Sequence, residues 1–321
     1  MEELRFSRHD LIDPEARVAL EQLLAAVPGG IAGIPDVVQR RAVFEALIDS
    51  LPAPANPGVS KQNRTIPGPS GDPNLPVRVY RPAGADGTGP GIVFIHGGAM
   101  SFGSLETEDA VATMLCDQLG AVVVSVGFRQ APENPYPAPF DDCYAGLVWT
   151  AANTAELGFA PGRLAIVGGS SGANLTIAVA MRARDSQGPS IRFIMPFSPM
   201  IDDTNTTASS HEITDIGAFD RSHNIECWAW YLGGRPADQY AAPARASDLA
   251  GLPPAFIDVG TVDVFRDEAV GFAQRLMAAG VPTELHVHPG AYHGAETFAP
   301  ESALGRRIWG LRIDAVRRAL A

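Results

Sequence analysis

The sequence predicts an α/β fold, a mostly parallel sheet covered by helices on both faces. Two observations carry that reading. Short apolar-rich runs recur at residues 92–95, 121–126, 164–167, 191–197, 256–259 and 284–287, with helical material between them, which is the rhythm of buried parallel strands joined by crossovers. One of these runs, Leu164-Ala165-Ile166-Val167, passes through Gly168-Gly169-Ser170-Ser171-Gly172 straight into the apolar stretch 174–181, which reads as a buried helix.

At 321 residues the chain can bury a large core without a disulfide or metal staple, so one main domain with an appendage is expected. A formal charge of −12 without Lys/Arg runs argues against nucleic acid and anionic membrane surfaces as partners, and favours neutral over anionic substrates. Cys116, Cys143 and Cys227 are widely spaced and form no C-x-x-C pair, so they read as reduced, buried thiols. The start, Met1-Glu2-Glu3-Leu4-Arg5, is polar where a secretory signal would be basic and then apolar, and no apolar stretch reaches spanning length. A cytoplasmic protein is expected, with no membrane partner.

Taken in order, residues 1–50 read as a helical segment. Pro14-Glu15 opens one helix whose apolar members include Val18, Leu20, Leu23 and Leu24, and residues 37–47 continue the pattern after a Pro/Gly break. A proline-rich link at residues 52–57 separates this segment from the core, whose two parts span 51–200 and 245–321. The alternation Leu75, Val77, Val79 predicts a first strand, and 92–95 a fully buried one. Residues 201–244 break the rhythm, being rich in Asp, Thr, Ser and aromatics, and read as an insertion lying over the site.

The glycine-flanked serine needs partners. Small residues on either side of Ser170 suit a sharp strand-to-helix turn holding a nucleophile, and Gly168 and Gly172 favour Ser170 over its neighbour Ser171. The alternative is a turn that only caps its helix or binds an anion. His96-Gly97-Gly98-Ala99 follows the 92–95 run, where backbone N–H groups can converge as an oxyanion hole with the N–H of Ser171. The alternative is an ordinary Gly-rich turn, and His96 is structural in either case, because the donors required are backbone groups. Asp263, just past the 256–259 run, is the best acid; Asp258 lies within the strand, and Asp267-Glu268 look like the first turn of a helix. The last loop, Pro289-Gly290-Ala291-Tyr292-His293-Gly294, supplies His293 as base. His286 and His288 alternate along a strand, and no Cys or carboxylate completes a zinc spacing with them.

These segments, together with Phe128-Arg129-Gln130-Ala131-Pro132-Glu133, resemble in order and spacing the bacterial hormone-sensitive-lipase-like family of α/β-hydrolases, over about residues 77–294. The resemblance implies a carboxylesterase with Ser170, Asp263 and His293 as triad, no cofactor and no metal. It also implies a helical cap made from the N-terminal segment and residues 201–244. The family usually writes HGGG, G-D-S-A-G-G and Y-R-L-A-P-E, where this chain has Ala99, Gly169, Ser171, Ala173, Phe128 and Gln130. Ala99 keeps its N–H, so the oxyanion hole that the resemblance implies, from Gly98, Ala99 and Ser171 with Gly97 as a further candidate, survives, while Gly169 removes the carboxylate that usually stands beside the nucleophile. Phe219, Trp228 and Trp230 read either as the wall of an apolar pocket for a short or medium acyl ester or as cap core. Rival functions are an amidase, a hydrolase for one metabolite ester, or a non-catalytic small-molecule receptor on the same scaffold; a retained His293 favours an enzyme. The partner expected is a small-molecule ester, and a homodimer is allowed.

Overall fold

A computed structural model describes residues 8–51, 56, 58–69 and 72–321. The first five residues and most of the proline-rich link lie outside the described residues.

Two helices come first, α1 (Pro14–Ala26) and α2 (Val37–Asp49). Each starts on an aspartate. Asp13 accepts from the N–H groups of Glu15 and Ala16, with Pro14 at the first helical position, and Asp36 accepts from Gln39 N–H. Such caps satisfy donors that a helix start leaves open, worth about 1 kcal/mol each. The core then runs β1 (Val59–Ile66), β2 (Leu75–Pro82), β3 (Gly91–Ile95), α3 (Asp109–Leu119), β4 (Val122–Val126), α4 (Ala138–Ala152), α5 (Thr154–Leu157), β5 (Leu164–Gly169), α6 (Ser171–Asp185) and β6 (Phe193–Phe197). After β6 come α7 (Ala208–Glu212) and α8 (Arg221–Leu232), which occupy the interval that broke the rhythm. Last are β7 (Ala255–Val262), α9 (Arg266–Ala278), β8 (Thr283–Tyr292), α10 (Ala295–Phe298) and α11 (Ala303–Ala319).

The eight strands of the described residues form one sheet, in the order β1-β2-β4-β3-β5-β6-β7-β8. The β1–β2 and β2–β4 pairs are antiparallel and all pairs from β4 onward are parallel. Successive side chains of a strand point to opposite faces. Ile92 and Phe94 of β3 accordingly join α3 and α11 in one apolar cluster, while Val93 and Ile95 face α4 and α6 in another. With both faces covered, β3, β4, β5 and β6 are buried along their whole length.

β1 was not expected. Its sequence, Val-Ser-Lys-Gln-Asn-Arg-Thr-Ile, carries no apolar alternation because it is an edge strand with most side chains in solvent. Polar and charged residues on such an edge prevent pairing with another chain. The topology brings the carboxyl ends of β3, β5, β7 and β8 to one edge of the sheet, where ligands of α/β sheets bind.

Candidate active site

β5 ends at Gly169 and α6 begins at Ser171, leaving Ser170 alone in the turn at φ 57° and ψ −119°. A left-handed φ on a non-glycine residue costs of order 1–3 kcal/mol and persists only where surroundings fix it. Here Ser170 N–H donates to the Phe197 carbonyl (2.9 Å), and the Ser170 carbonyl accepts from Ala173 N–H (3.1 Å) and Met200 N–H (3.2 Å). The turn is tight enough that a Cβ on Gly168 would lie 2.4 Å from the Gly172 carbonyl oxygen, and one on Gly172 would lie 2.1 Å from that of Ile95. Ser170 faces the cavity, whereas Ser171 is fully buried and its hydroxyl has no partner among the described residues.

His293 is the first residue after β8. Its Nε2 lies 3.0 Å from Ser170 Oγ and its Nδ1 2.9 Å from Asp263 Oδ2. Asp263 directly follows β7, which runs further than the sequence suggested, and its Oδ1 accepts from Phe265 N–H at 2.9 Å. A carboxylate can only accept, so Nδ1 carries the proton and Nε2 turns a lone pair to the serine hydroxyl. Burial works against a charged imidazole, but the Asp263 charge and hydrogen bond outweigh it and hold His293 above the ordinary histidine range. Phe265 packs edge-on to the ring at 4.9 Å between centroids, and Phe219 lies at 5.3 Å.

The loop after β3 passes close to Ser170. Gly98 (φ 107°) and Ala99 (φ 52°) both take the left-handed region, and among the described residues nothing accepts from their N–H groups. Ser171, at the first position of α6, has no intrahelical acceptor for its N–H. The Gly97 N–H differs, since it stands near the Glu108 carboxylate and favours its charged form. His96 is buried, stacks on Phe128 at 4.2 Å, and donates from Nδ1 to the Gly97 carbonyl at 2.8 Å. Burial lowers its pKa to about 4, so the ring is neutral.

A cavity of about 1070 Å³ opens at Ser170 and His293. Phe44, Phe102, His223 and Phe219 form a continuous aromatic series along it, with neighbouring centroids 4.5–5.8 Å apart. Of the three aromatics read as either pocket wall or cap core, Phe219 lines the cavity and Trp228 and Trp230 do not. Trp228 is buried against Tyr231, 5.9 Å between centroids, because its face of α8 points into the apolar core. Trp230 lies beneath the Arg40 guanidinium at 4.9 Å.

Several residues that sequence reasoning passed over hold these parts together. Arg40 of α2 donates to Glu226 of α8 (2.6 Å), tying the N-terminal segment to the 201–244 interval. Arg41 reaches the Ser101 and Ala131 carbonyls and both oxygens of Glu133, fastening α2 to the loop after β3. Arg129 meets buried Asp142 through its backbone and its guanidinium, which accounts for part of the 128–133 segment. Asp258 accepts from Arg312 and from His288, and His286 pairs with Glu284, so each strand histidine has a carboxylate partner. No cluster of His, Cys, Asp and Glu suited to a metal occurs among the described residues. The place of the missing carboxylate is taken by Phe197: a Cβ on Gly169 would lie 2.1 Å from its ring. That ring is held by Arg312 above it (4.1 Å) and Trp309 at its edge (5.8 Å). Arginine and aromatic partners so distant in sequence leave no local motif that could have flagged them.

Residues 92–297 match a family profile described as alpha/beta hydrolase fold. The chain is 36% identical over 313 residues to the carboxylesterase NlhH of Mycobacterium tuberculosis, covering 96% of this chain and 97% of that one. Among solved structures, a bacterial heroin esterase superposes with a TM-score of 0.92 at 34% identity, over 98% of this chain and all of that one. The esterase LipW of Mycobacterium marinum gives 0.82 at 34% identity, over 97% and 96%.

Proposed function

The chain belongs to the bacterial hormone-sensitive-lipase-like family of α/β-hydrolases, and from that premise we propose that Ser170, His293 and Asp263 carry out serine carboxylesterase chemistry. The observation that supports this most is the hydrogen-bonded series Ser170–His293–Asp263, at 3.0 and 2.9 Å. His293 takes the proton from Ser170 as its oxygen attacks the ester carbonyl, and Asp263 fixes the tautomer and stabilises the imidazolium. The N–H groups of Gly98, Ala99 and Ser171 receive the developing oxyanion, and His293 returns the proton to the leaving alkoxide. Water then attacks the acyl-enzyme with His293 again as base, releasing the acid and restoring Ser170.

The α1–α2 segment and the 201–244 interval act as a cap in this reading, supported by the Arg40–Glu226 pair and by Phe44 and Phe219 along one cavity. A cavity walled by aromatics on one side suits short- to medium-chain acyl groups. Cytoplasmic residence belongs to the same proposal, supported by three buried free thiols; no helix among the described residues is long and apolar enough to cross a membrane. A homodimer is tested by sedimentation. The reading itself is tested by a panel of p-nitrophenyl esters of rising chain length beside one anilide. Turnover that is greatest on short or medium esters is expected, and faster anilide cleavage would favour an amidase instead.

A further inference from the structure

Glu108 directly precedes α3, yet its side chain does not cap that helix. The acids around it are neutralised: Glu106 pairs with Arg78, and Asp109 with Arg78 and Lys61. Glu108 has no ion pair among the described residues and lines the cavity that holds Ser170. The two are near one another, because a Cβ placed on Gly97 would be 3.6 Å from Glu108 Oε1 and 3.6 Å from Ser170 Cβ, so the separation cannot exceed twice that leg. Glu296 lines the same cavity. Its partner Arg312 (2.7 Å) also serves Asp258 (2.8 and 3.0 Å), so one guanidinium faces two carboxylates, with His288 sharing Asp258 at 3.1 Å. Arg312 also lies over the Phe197 and Trp309 rings, at 4.1 and 4.8 Å. Those faces already hold a cation, and the cations in the cavity lining, Lys61, Arg78 and Arg306, are each paired with a carboxylate, whereas Glu108 stands near Ser170 without an ion pair among the described residues.

We propose that Glu108 determines specificity in this site, making the cavity select esters that carry an alkylammonium group. The inference rests on the esterase reading of Ser170. An unpaired carboxylate in a partly dehydrated cavity is unfavourable, and an incoming cation relieves that cost while gaining Coulomb energy that bulk water would screen. Burial raises the Glu108 carboxyl to about 7, the lost hydration outweighing the Gly97 N–H and the Arg312 guanidinium, which act the other way. The competing role is structural, with Glu108 serving only to hold the Gly97 N–H.

The test compares kcat/KM at about pH 8 for 2-acetoxyethyl-trimethylammonium, whose charge never titrates, and its neutral isostere 3,3-dimethylbutyl acetate, where Glu108 is largely ionised. The intact enzyme is expected to favour the charged ester by about tenfold or more, and Glu108→Gln, which keeps an acceptor for Gly97, to bring the ratio towards one. Equal or reversed preference in the intact enzyme overturns the inference without any variant. So does a Glu108→Gln enzyme that loses rate on both esters alike and keeps the ratio. Should Glu108→Gln not fold, inhibition of neutral-ester hydrolysis by choline and by 3,3-dimethylbutanol gives the same comparison in the unaltered protein, choline being expected to bind about tenfold tighter. Ser170→Ala separates the two readings: turnover of the neutral ester by that variant counts against the nucleophile, whereas an inactive Ser170→Ala beside equal rates on both esters counts against Glu108 alone.

Discussion

Ser170 and Ser171 are adjacent and chemically identical, and backbone geometry separates them. The strained turn points Ser170 at His293, while Ser171 is sealed in the sheet–helix contact with its hydroxyl unpartnered among the described residues. Ser171→Ala is therefore expected to retain substantial turnover, since only its backbone N–H reaches the reaction, and kcat/KM measurements on one ester check it. Asp263→Asn should lower kcat by about four orders of magnitude with little change in KM, because an amide favours the wrong imidazole tautomer. Asp267→Asn should act on stability instead, as Asp267 accepts from Ser209 N–H and pairs with Arg266. The base must be neutral to take a proton, and His293 is held above its ordinary pKa of 6.5. Activity should then rise with pH through an inflection above that value, and residual activity in Asp263→Asn should inflect lower; an unmoved inflection would count against the pairing. The glycine-flanked serine and the terminal histidine could be singled out because the proposed function demands a local pattern. Glu108, Phe197 and Arg312 were not, because each acquires its meaning from residues far away in the chain.

At the scale of elements, the buried strands were readable for a physical reason. A strand covered on both faces must be apolar throughout, as in Gly91–Ile95 and Leu164–Gly169, and such runs stand out. The edge strand Val59–Ile66 has one solvent-facing side and an open border, so its composition resembles a loop. The 201–244 interval was recognisable as an interruption, yet its helices were not, since α8 buries only part of its surface and shows weak amphipathic order. Gly169 links strand to neighbour. Gly169→Ala would drive a methyl into the Phe197 ring, which cannot swing away freely because Arg312 and Trp309 hold it. A loss of about 1–3 kcal/mol is expected from such overpacking, measurable by urea denaturation, with a fall in kcat as the Phe197 carbonyl that anchors Ser170 N–H shifts. A variant as stable and active as the parent would show that the ring does not fill that space firmly.

The whole molecule joins two distant stretches of sequence over one cavity. Removing residues 1–45 would strip Leu20 and Leu23 from the core as well as Arg40 and Arg41 from their partners. The N-terminal segment is thus part of the packed interior in addition to any role over the site. The truncated protein should be less stable, prone to aggregate through exposed apolar surface, and slower than its stability alone explains, since water would reach the oxyanion donors. Circular dichroism, light scattering and turnover on a chain-length series check this; a folded, monomeric truncation with unchanged kinetics would reduce the segment to an appendage. All these expectations hang on one covalent event, attack by Ser170 on a carbonyl. Its most direct test is to treat the enzyme with diethyl p-nitrophenyl phosphate and locate the adduct by peptide mass mapping. The account predicts one diethylphosphoryl group on Ser170, full loss of esterase activity in step with labelling, and neither labelling nor turnover in Ser170→Ala. A label on Ser171, or ester hydrolysis that survives in Ser170→Ala, would contradict it.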